Sequence, residues 1–151
     1  MKKKISLIIC ICICILPLSS CSREYDAYSM LCEFVSAYGA EGTVYSPIVP
    51  EGEDGYIYEG LVERIYLFSG EFPENYAIFL NSHPDYSSEC GIFVCSDAEM
   101  LSMVEEMCLE RIGLLCGRAE NAFLKKSGNL CFYSTMQDRV RAEKIFNEII
   151  R

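Results

Sequence analysis

The chain has 151 residues, a formal net charge of −9 and about 51% hydrophobic residues, so its length suits one domain with a buried core. The acidic balance and the lack of a basic stripe argue against a nucleic-acid partner, because phosphodiester backbones repel such a surface. No repeat at a solenoid or propeller period is visible, which excludes those architectures.

The N-terminus combines a short cationic segment with a long apolar one. Lys2, Lys3 and Lys4 precede the uncharged residues 5–18, and Ser20 then stands directly before Cys21. As a helix, residues 5–18 would reach about 21 Å, which is short of the roughly 30 Å hydrocarbon core. The length therefore favours a secretory signal over an uncleaved membrane-spanning helix, which is the alternative.

This order of residues resembles the signal of bacterial lipoproteins, whose cleavage site ends in a cysteine. The resemblance implies cleavage between Ser20 and Cys21, a diacylglycerol on the Cys21 thiol, and acylation of the new amino terminus with a fatty acid such as palmitate. The expected organisation is a signal peptide at 1–20, a lipidated tether at 21–26 and one globular domain at 27–151. The expected location is the outer face of the cell membrane.

The charge of the exported part supports attachment through lipid alone. The first 20 residues hold three of the 13 Lys and Arg and none of the 22 Asp and Glu, so residues 21–151 carry a formal charge of −12. Anionic headgroups repel such a body. Two acyl chains hold a protein stably on a membrane, whereas one gives only reversible binding.

The first half of the domain is predicted to be a helix followed by a loop. Apolar residues recur at helical spacing over residues 26–38, and Gly39 follows as a stop. Residues 41–55 are rich in Gly and Pro and are predicted to be a loop with solvated acidic residues. Residues 56–58 favour a strand and residues 61–68 a short helix.

The second half is predicted to contain two hairpins and two helices. Residues 76–80 and 90–95 form the first predicted strand pair, and residues 121–124 and 130–133 the second, with a turn at 127–129. Between the pairs, Ser96 and Glu99 predict a capping box for a helix that ends at Gly117. Residues 142–150 predict an amphipathic C-terminal helix. The expected fold class is α+β, a small antiparallel sheet with two to three helices packed on one face.

Six cysteines remain in the domain after the signal and Cys21 are set aside. They are Cys32, Cys90, Cys95, Cys108, Cys116 and Cys131. An even number in an exported chain is compatible with disulfides, yet apolar neighbours favour buried thiols. The expectation is core cysteines, with the pairing of any single bridge left open. No CxxC spacing occurs, so no zinc ribbon or thioredoxin-like motif is predicted.

Candidate catalytic groups are few. His83, the single histidine, lies near Asp85 in a predicted loop, but no nucleophile motif accompanies it. Glu106 and Glu110 share a helix face with Arg111 nearby, and a solvated face is the expected use. Three methionines of this helix and the tyrosines of the first half are expected to pack in the core. No catalytic residue, metal site or cofactor is assigned.

From about residue 56 onwards, the layout is similar to uncharacterised small lipoproteins of clostridia and their relatives. The similarity lies in the strand at 76–80, the hairpins, the helix with Glu110 and Arg111, and the terminal helix. It implies location and gross fold. The predicted function is a non-catalytic envelope module that binds a protein, a glycan or a small ligand. The alternative is a membrane-anchored hydrolase or redox protein that uses His83 or a reactive cysteine.

Overall fold

The computed structural model describes residues 25–58, 60–68, 70–82, 88–115 and 120–151. In chain order these ranges contain α1 (Ala27–Tyr38), β1 (Gly42–Tyr45), α2 (Leu61–Tyr66), β2 (Asn75–Asn81), β3 (Glu89–Val94), α3 (Ala98–Leu114), β4 (Phe123–Ser127), β5 (Leu130–Ser134) and α4 (Arg139–Ile149). Within them, no helix is both long and apolar enough to cross a bilayer.

The five strands form one sheet in the order β1-β2-β3-β5-β4, and every neighbouring pair is antiparallel. The predicted α+β class and both predicted hairpins are confirmed. β5 lies between β3 and β4, so the second hairpin joins the first along β3, with Ile92 opposite Phe132.

The helices cover both faces of the sheet, and the prediction that they pack on one face is wrong. α1 and α4 pack on the face that carries Ala77 and Phe79, whereas α2 and α3 pack on the face that carries Tyr76 and Ile78. We call these the α1/α4 face and the α2/α3 face. The cause is that β3 and β5 are buried at nearly every position, so both of their faces need a cover.

α1 is confirmed at both of its ends. The side chain of Asp26 accepts a hydrogen bond from the Tyr28 backbone N–H, and Gly39 ends the helix in the left-handed conformation at φ 74°. Asn75 fastens the start of this helix to β2: its Nδ2 donates to the Tyr25 carbonyl at 2.6 Å, and its Oδ1 accepts from the Ala27 N–H at 3.0 Å.

The predicted loop at 41–55 contains a strand and is therefore wrong in part. β1 pairs with β2, with Val44 opposite Phe79. The strand has only four residues, too few for an alternating pattern to be recognised. Glycine is needed at its start, because a Cβ at Gly42 would lie 2.3 Å from the Leu80 carbonyl oxygen.

Helix α3 begins one residue later than predicted. Asp97, not Ser96, caps it by accepting a hydrogen bond from the Met100 N–H at 2.8 Å. Ser96 instead donates to the Asp97 carboxylate at 2.9 Å. The helix ends at Leu114, and the predicted stop at Gly117 lies outside the described residues.

The remaining elements differ from the predictions by a few residues. The short helix α2 ends at Tyr66, and Tyr56 makes only an isolated parallel bridge to Ser46. The second hairpin turns at Gly128, with φ 60°, and Asn129, so β4 includes Ser127. The C-terminal helix is confirmed, with Asp138 as its cap.

The strand register gives the sheet two distinct ends. One end holds Asn75 and Val94, α1 begins there next to Asn75, and β1 runs towards it, with Tyr45 opposite Ile78. The opposite end holds Asn81 and Glu89. We call the first the anchor end, because Tyr25, the first described residue, lies there against Asn75, and we call the second the far end.

Candidate functional site

A charged pair is buried on the α2/α3 face at the far end. Glu89 opens β3 and is 3% exposed. Arg111, in the last turn of α3, binds it through two parallel contacts: Nε to Oε1 at 2.7 Å and Nη2 to Oε2 at 2.6 Å. This hydrogen bonding to Glu89 raises the pKa of Arg111. The bidentate geometry fixes both side chains and is stronger than a single contact between neutral groups.

Two tyrosines extend the pair into the core. The Tyr133 hydroxyl donates to Glu89 Oε1 at 2.9 Å, and the Tyr66 and Tyr133 hydroxyls lie 2.9 Å apart. Since the Tyr133 proton goes to the carboxylate, Tyr66 donates to the Tyr133 oxygen. Burial raises the pKa of both hydroxyls well above the ordinary value.

The network also connects the two helices of this face. Arg111 Nη1 donates to the carbonyl oxygen of Ile65 in α2 at 2.8 Å. At its other side, the Glu89 backbone N–H donates to Thr135 Oγ1 at 3.0 Å. One guanidinium therefore ties α2 and α3 to the start of β3.

The chemistry of this network is structural. Among the described residues, no buried side-chain nitrogen or oxygen lacks a hydrogen-bond partner. The Glu89 carboxylate is neutralised by Arg111, and the tyrosine protons are held tightly by burial. We conclude that the network positions helices and leaves neither a free charge nor an acidic proton for catalysis.

Glu89 was not among the residues predicted from the sequence, and the prediction that Arg111 lies on a solvated face with Glu106 and Glu110 is wrong. Arg111 follows Val104 and Cys108 by seven and three residues, which is the spacing of the buried side of α3. Glu89 stands directly before a buried apolar run. A charged residue at the end of such a run is buried with it and needs a partner of opposite charge. This position in the sequence could have indicated that Glu89 belongs to a buried ion pair.

The other carboxylates considered in the sequence lie at the surface. Glu106 and Glu110 are exposed, as predicted, and Glu105 forms an ion pair with Lys126. The acidic residues of the loop after β1 are exposed too: Glu51, Glu53 and Asp54. The described residues contain no group of three or more His, Cys, Asp or Glu that could hold a metal ion.

Four of the six domain cysteines are buried and free, which confirms the core prediction for them. Cys90 belongs to the core of the α1/α4 face, whereas Cys95, Cys108 and Cys131 share the core of the α2/α3 face. Burial raises the pKa of Cys95 to about 12 and the pKa of Cys90 and Cys108 well above the ordinary value. These thiols are poor nucleophiles at neutral pH, because the thiolate is the reactive form.

The two remaining domain cysteines differ from these four. Cys32 is half-buried on α1, and burial raises its pKa as well. Cys116 lies outside the described residues.

The methionines and tyrosines are packed to different degrees. Met107 is buried, and Met100 and Met103 are half-buried on α3. Tyr66 is fully buried, and Tyr58 is the most exposed of the tyrosines discussed here, at 46%. The half-buried tyrosines are Tyr25, Tyr28, Tyr38, Tyr45 and Tyr56. The predicted use of these side chains in packing is confirmed, with Tyr58 as the exception.

Several sequence-predicted residues lie outside the described part of the chain. They are Ser20 and Cys21 at the expected cleavage site, and His83 and Asp85 in the predicted loop. Ser82 and Ser88, the described residues on either side of this gap, lie at the far end of the sheet.

Two surface cavities mark the two ends of the sheet. A far-end cavity of about 260 Å³ has polar and aromatic walls formed by Tyr38, Glu41, Asn81, Ser88 and Gln137, among others. An anchor-end cavity of about 390 Å³ has Phe72, Cys95 and Met100 in its wall.

No protein-family model, curated protein or solved structure matches this chain. Its function is therefore inferred from its own residues and their arrangement.

Proposed function

We propose that this chain is a lipid-anchored protein on the outer face of the cell membrane, and that its domain is a non-catalytic module that binds an envelope protein or a glycan. One observation carries the proposal: three lysines, an apolar stretch of 14 residues, and Ser20 before Cys21 follow one another in the order of a lipoprotein signal. The acyl chains on Cys21 would provide the attachment, since the acidic domain has no electrostatic affinity for anionic lipid.

The position of α1 supports a defined orientation on the membrane. Four residue steps separate Cys21 from Tyr25, and they can span at most about 14 Å. Asn75 holds Tyr25 at the anchor end of the sheet. An acylated Cys21 therefore keeps this end close to the headgroups.

The far end is then the part of the domain that is available to partners. β2 has seven residues, so it carries its last residue roughly 20 Å from its first. The far-end cavity is lined by Glu41 and Gln137, among others, and these side chains suit hydrogen bonding with a polar ligand such as a glycan.

The alternative function, a thiol-dependent redox enzyme or hydrolase, has weaker support. Burial raises the pKa of three core thiols, which opposes a reactive cysteine at these positions. A catalytic role of His83 is tested separately: replacement by Ala should leave any envelope phenotype of the chain unchanged, and complete loss of that phenotype would support the alternative.

Metabolic labelling tests the anchor. Cells that express the chain are fed an alkyne analogue of palmitate, and the purified chain is coupled to a fluorophore. We expect label on the wild-type chain and on the Cys32→Ala control, and none on Cys21→Ala. Equal labelling of Cys21→Ala would contradict the proposal.

Photocrosslinking tests the orientation. A benzophenone amino acid is placed at Glu51 in the loop that follows Tyr45 at the anchor end, or at Gln137 at the far end, in chains anchored on vesicles. Both positions are exposed. We expect lipid adducts from position 51 only, and lipid adducts of similar yield from both positions would exclude a fixed orientation.

A further inference from the structure

The two edges of the sheet are protected to different degrees. At the β1 edge, the Ser46 N–H donates to the Gly55 carbonyl at 3.1 Å, and Tyr56 forms a bridge to Ser46, so the chain's own loop covers this side. β4 is the strand at the opposite edge, and in the part of the chain that the structure describes no backbone group hydrogen-bonds to its outer side. Such an edge offers free backbone groups to any other strand, a second copy of this chain included.

The hairpin register shows which groups of β4 face outwards. Ser127 lies opposite Leu130 across a two-residue turn. The pair that closes such a turn is hydrogen-bonded, and along antiparallel strands hydrogen-bonded pairs alternate with non-hydrogen-bonded ones. Counting back from Ser127, every second residue of β4 therefore bonds to β5. Leu124 and Lys126 fall between these residues, so their backbone N–H and C=O groups point outwards.

A second copy that pairs with β4 about a twofold axis places Lys125 opposite its own counterpart. β4 has five residues, and Lys125 is the central one. In the register that pairs all five, Leu124 of one copy bonds to Lys126 of the other, and the two Lys125 residues form the non-hydrogen-bonded pair between them. Side chains are closest in such a pair, whose Cα atoms lie about 4.5 Å apart.

The two lysines of this strand differ in the charge of their partners. The Lys126 ammonium forms an ion pair with Glu105 of α3. The Lys125 ammonium donates to Asn147 Oδ1 of α4, which is an uncharged amide, and within the described residues it has no ion pair. Twofold pairing of β4 therefore brings two ammonium groups without a bound carboxylate directly opposite each other. Like charges in this position destabilise a strand pair.

We propose that Lys125 guards the free edge of the sheet, and that its charge keeps β4 from pairing with β4 of a second copy. The hydrogen bond to Asn147 holds the ammonium beside the strand, where an incoming copy meets it. Lysine on an edge strand is a known means of preventing edge-to-edge association. The role goes beyond the proposed function and keeps the folded chain monomeric.

Native mass spectrometry of the full chain, released from detergent, tests this role over a series of concentrations. The wild type is compared with Lys125→Thr and with Lys126→Thr, which makes the same change one residue away on the same strand. Threonine suits a strand and pairs well with a second threonine opposite it. We expect Lys125→Thr to become a dimer of twice the monomer mass as the concentration rises. The wild type and Lys126→Thr should stay monomeric.

Backbone hydrogen exchange identifies the surface that associates. In the Lys125→Thr dimer, the outward N–H groups of Leu124 and Lys126 bond to the other copy, so we expect them to exchange at least about tenfold more slowly than in the wild type. Exchange in β1, at the opposite edge, should be unchanged. A dimer without protection at these two positions would overturn the proposal, because another surface would then hold it together.

Charge reversal at the same position keeps the proposal testable if Lys125→Thr does not fold. Lys125→Glu places two carboxylates opposite each other and should be monomeric alone. An equal mixture with the wild type should contain a heterodimer, in which a carboxylate lies opposite the wild-type lysine.

Three results would overturn the proposal. They are a wild-type dimer protected at the β4 edge, a folded Lys125→Thr that stays monomeric or dimerises no more readily than Lys126→Thr, and a mixture without the heterodimer. None of these measurements needs export or acylation, so their outcome is independent of the proposed anchor.

Discussion

The two faces of the sheet hold their helices by different means. On the α1/α4 face, helices and sheet meet through apolar side chains, aliphatic and aromatic: Phe132 stacks on Phe146 at 4.2 Å between centroids and meets the ring of Phe34 at 5.0 Å. On the α2/α3 face, rings are also present, but the buried Glu89–Arg111 pair and two tyrosine hydroxyls lie among them.

Two consecutive residues of β5 show what this difference means. Phe132 faces α4 and contributes only apolar contact, whereas Tyr133 faces α3 and donates to Glu89. Apolar packing depends on side-chain volume, so it tolerates replacement by another apolar side chain of similar size. A buried polar network also depends on the identity of each atom, because one missing partner leaves another group unsatisfied. The α2/α3 face should therefore be the more sensitive to conservative substitutions.

The largest expected effect is the removal of Arg111. Arg111→Ala leaves the Glu89 carboxylate buried without its partner, and we expect a loss of about 3–5 kcal/mol in the free energy of unfolding. Urea unfolding followed by circular dichroism measures it. The neighbouring Glu110→Ala is the control and should change stability by less than about 0.5 kcal/mol. A loss for Arg111→Ala that is no larger than the control's would mean that the ion pair does not hold the α2/α3 layer.

The second effect comes from a single oxygen atom. Tyr133→Phe removes the donor to Glu89 and the acceptor of the Tyr66 hydroxyl, and we expect a loss of about 1.5–3 kcal/mol. Tyr58→Phe at the exposed position 58 is the matched control and should be neutral. The same urea titration compares them, and equal stability of the two variants would remove the basis for distinguishing the two faces.

The third effect is a loss of stability in alkaline solution. The pKa of Cys95 is raised by burial from 9.0 to about 12, so the folded state retains its proton where the unfolded state loses it. This stabilisation is fully present below pH 9 and is lost as the pH rises from 9 to 12. Between pH 8 and pH 10.5 the loss from this one group is about 2 kcal/mol.

The Cys95→Ala variant isolates that contribution. Its unfolding free energy, measured in reductant at both pH values, should fall less than that of the wild type. Ser96→Ala, at the exposed neighbouring position, should fall as much as the wild type. If the unfolding free energy of Cys95→Ala falls as much as that of the wild type, the Cys95 thiol has the same pKa in the folded and unfolded states.

The smallest effects contrast two glycines. A Cβ at Gly91 would lie 2.7 Å from a Tyr133 ring carbon and 3.2 Å from the Tyr66 hydroxyl oxygen, whereas nothing lies within 4 Å of a Cβ at Gly113. We expect Gly91→Ala to lose about 1–2 kcal/mol by overpacking. Gly113→Ala, on the exposed side of α3, should gain about 0.5–1 kcal/mol through helix propensity. Thermal unfolding distinguishes them by the sign of the Tm shift.

The sequence predicted most elements because their patterns are local. α1 has a cap, an apolar stripe and a closing glycine within 14 residues, and the central strands are continuous apolar runs between turns. β1 was missed because four residues carry too little periodicity, and its position depends on pairing with Phe79 and Leu80, which lie far along the chain.

The site was harder to predict than the fold. Glu89 and Arg111 are 22 residues apart, and their contact exists only after α3 packs on the sheet. The helical spacing from Val104 and Cys108 indicated that Arg111 points inward, but only the packed sheet shows which carboxylate it meets.

The intact mass of the chain extracted from membranes tests the anchor most directly. The account predicts a species that begins at Cys21 and carries the mass of a diacylglyceryl group, with or without an additional acyl chain, and an N-terminal peptide that shows this modification on Cys21. A membrane-extracted chain that still begins at Met1, or one that begins at Cys21 with an unmodified thiol, would contradict the account.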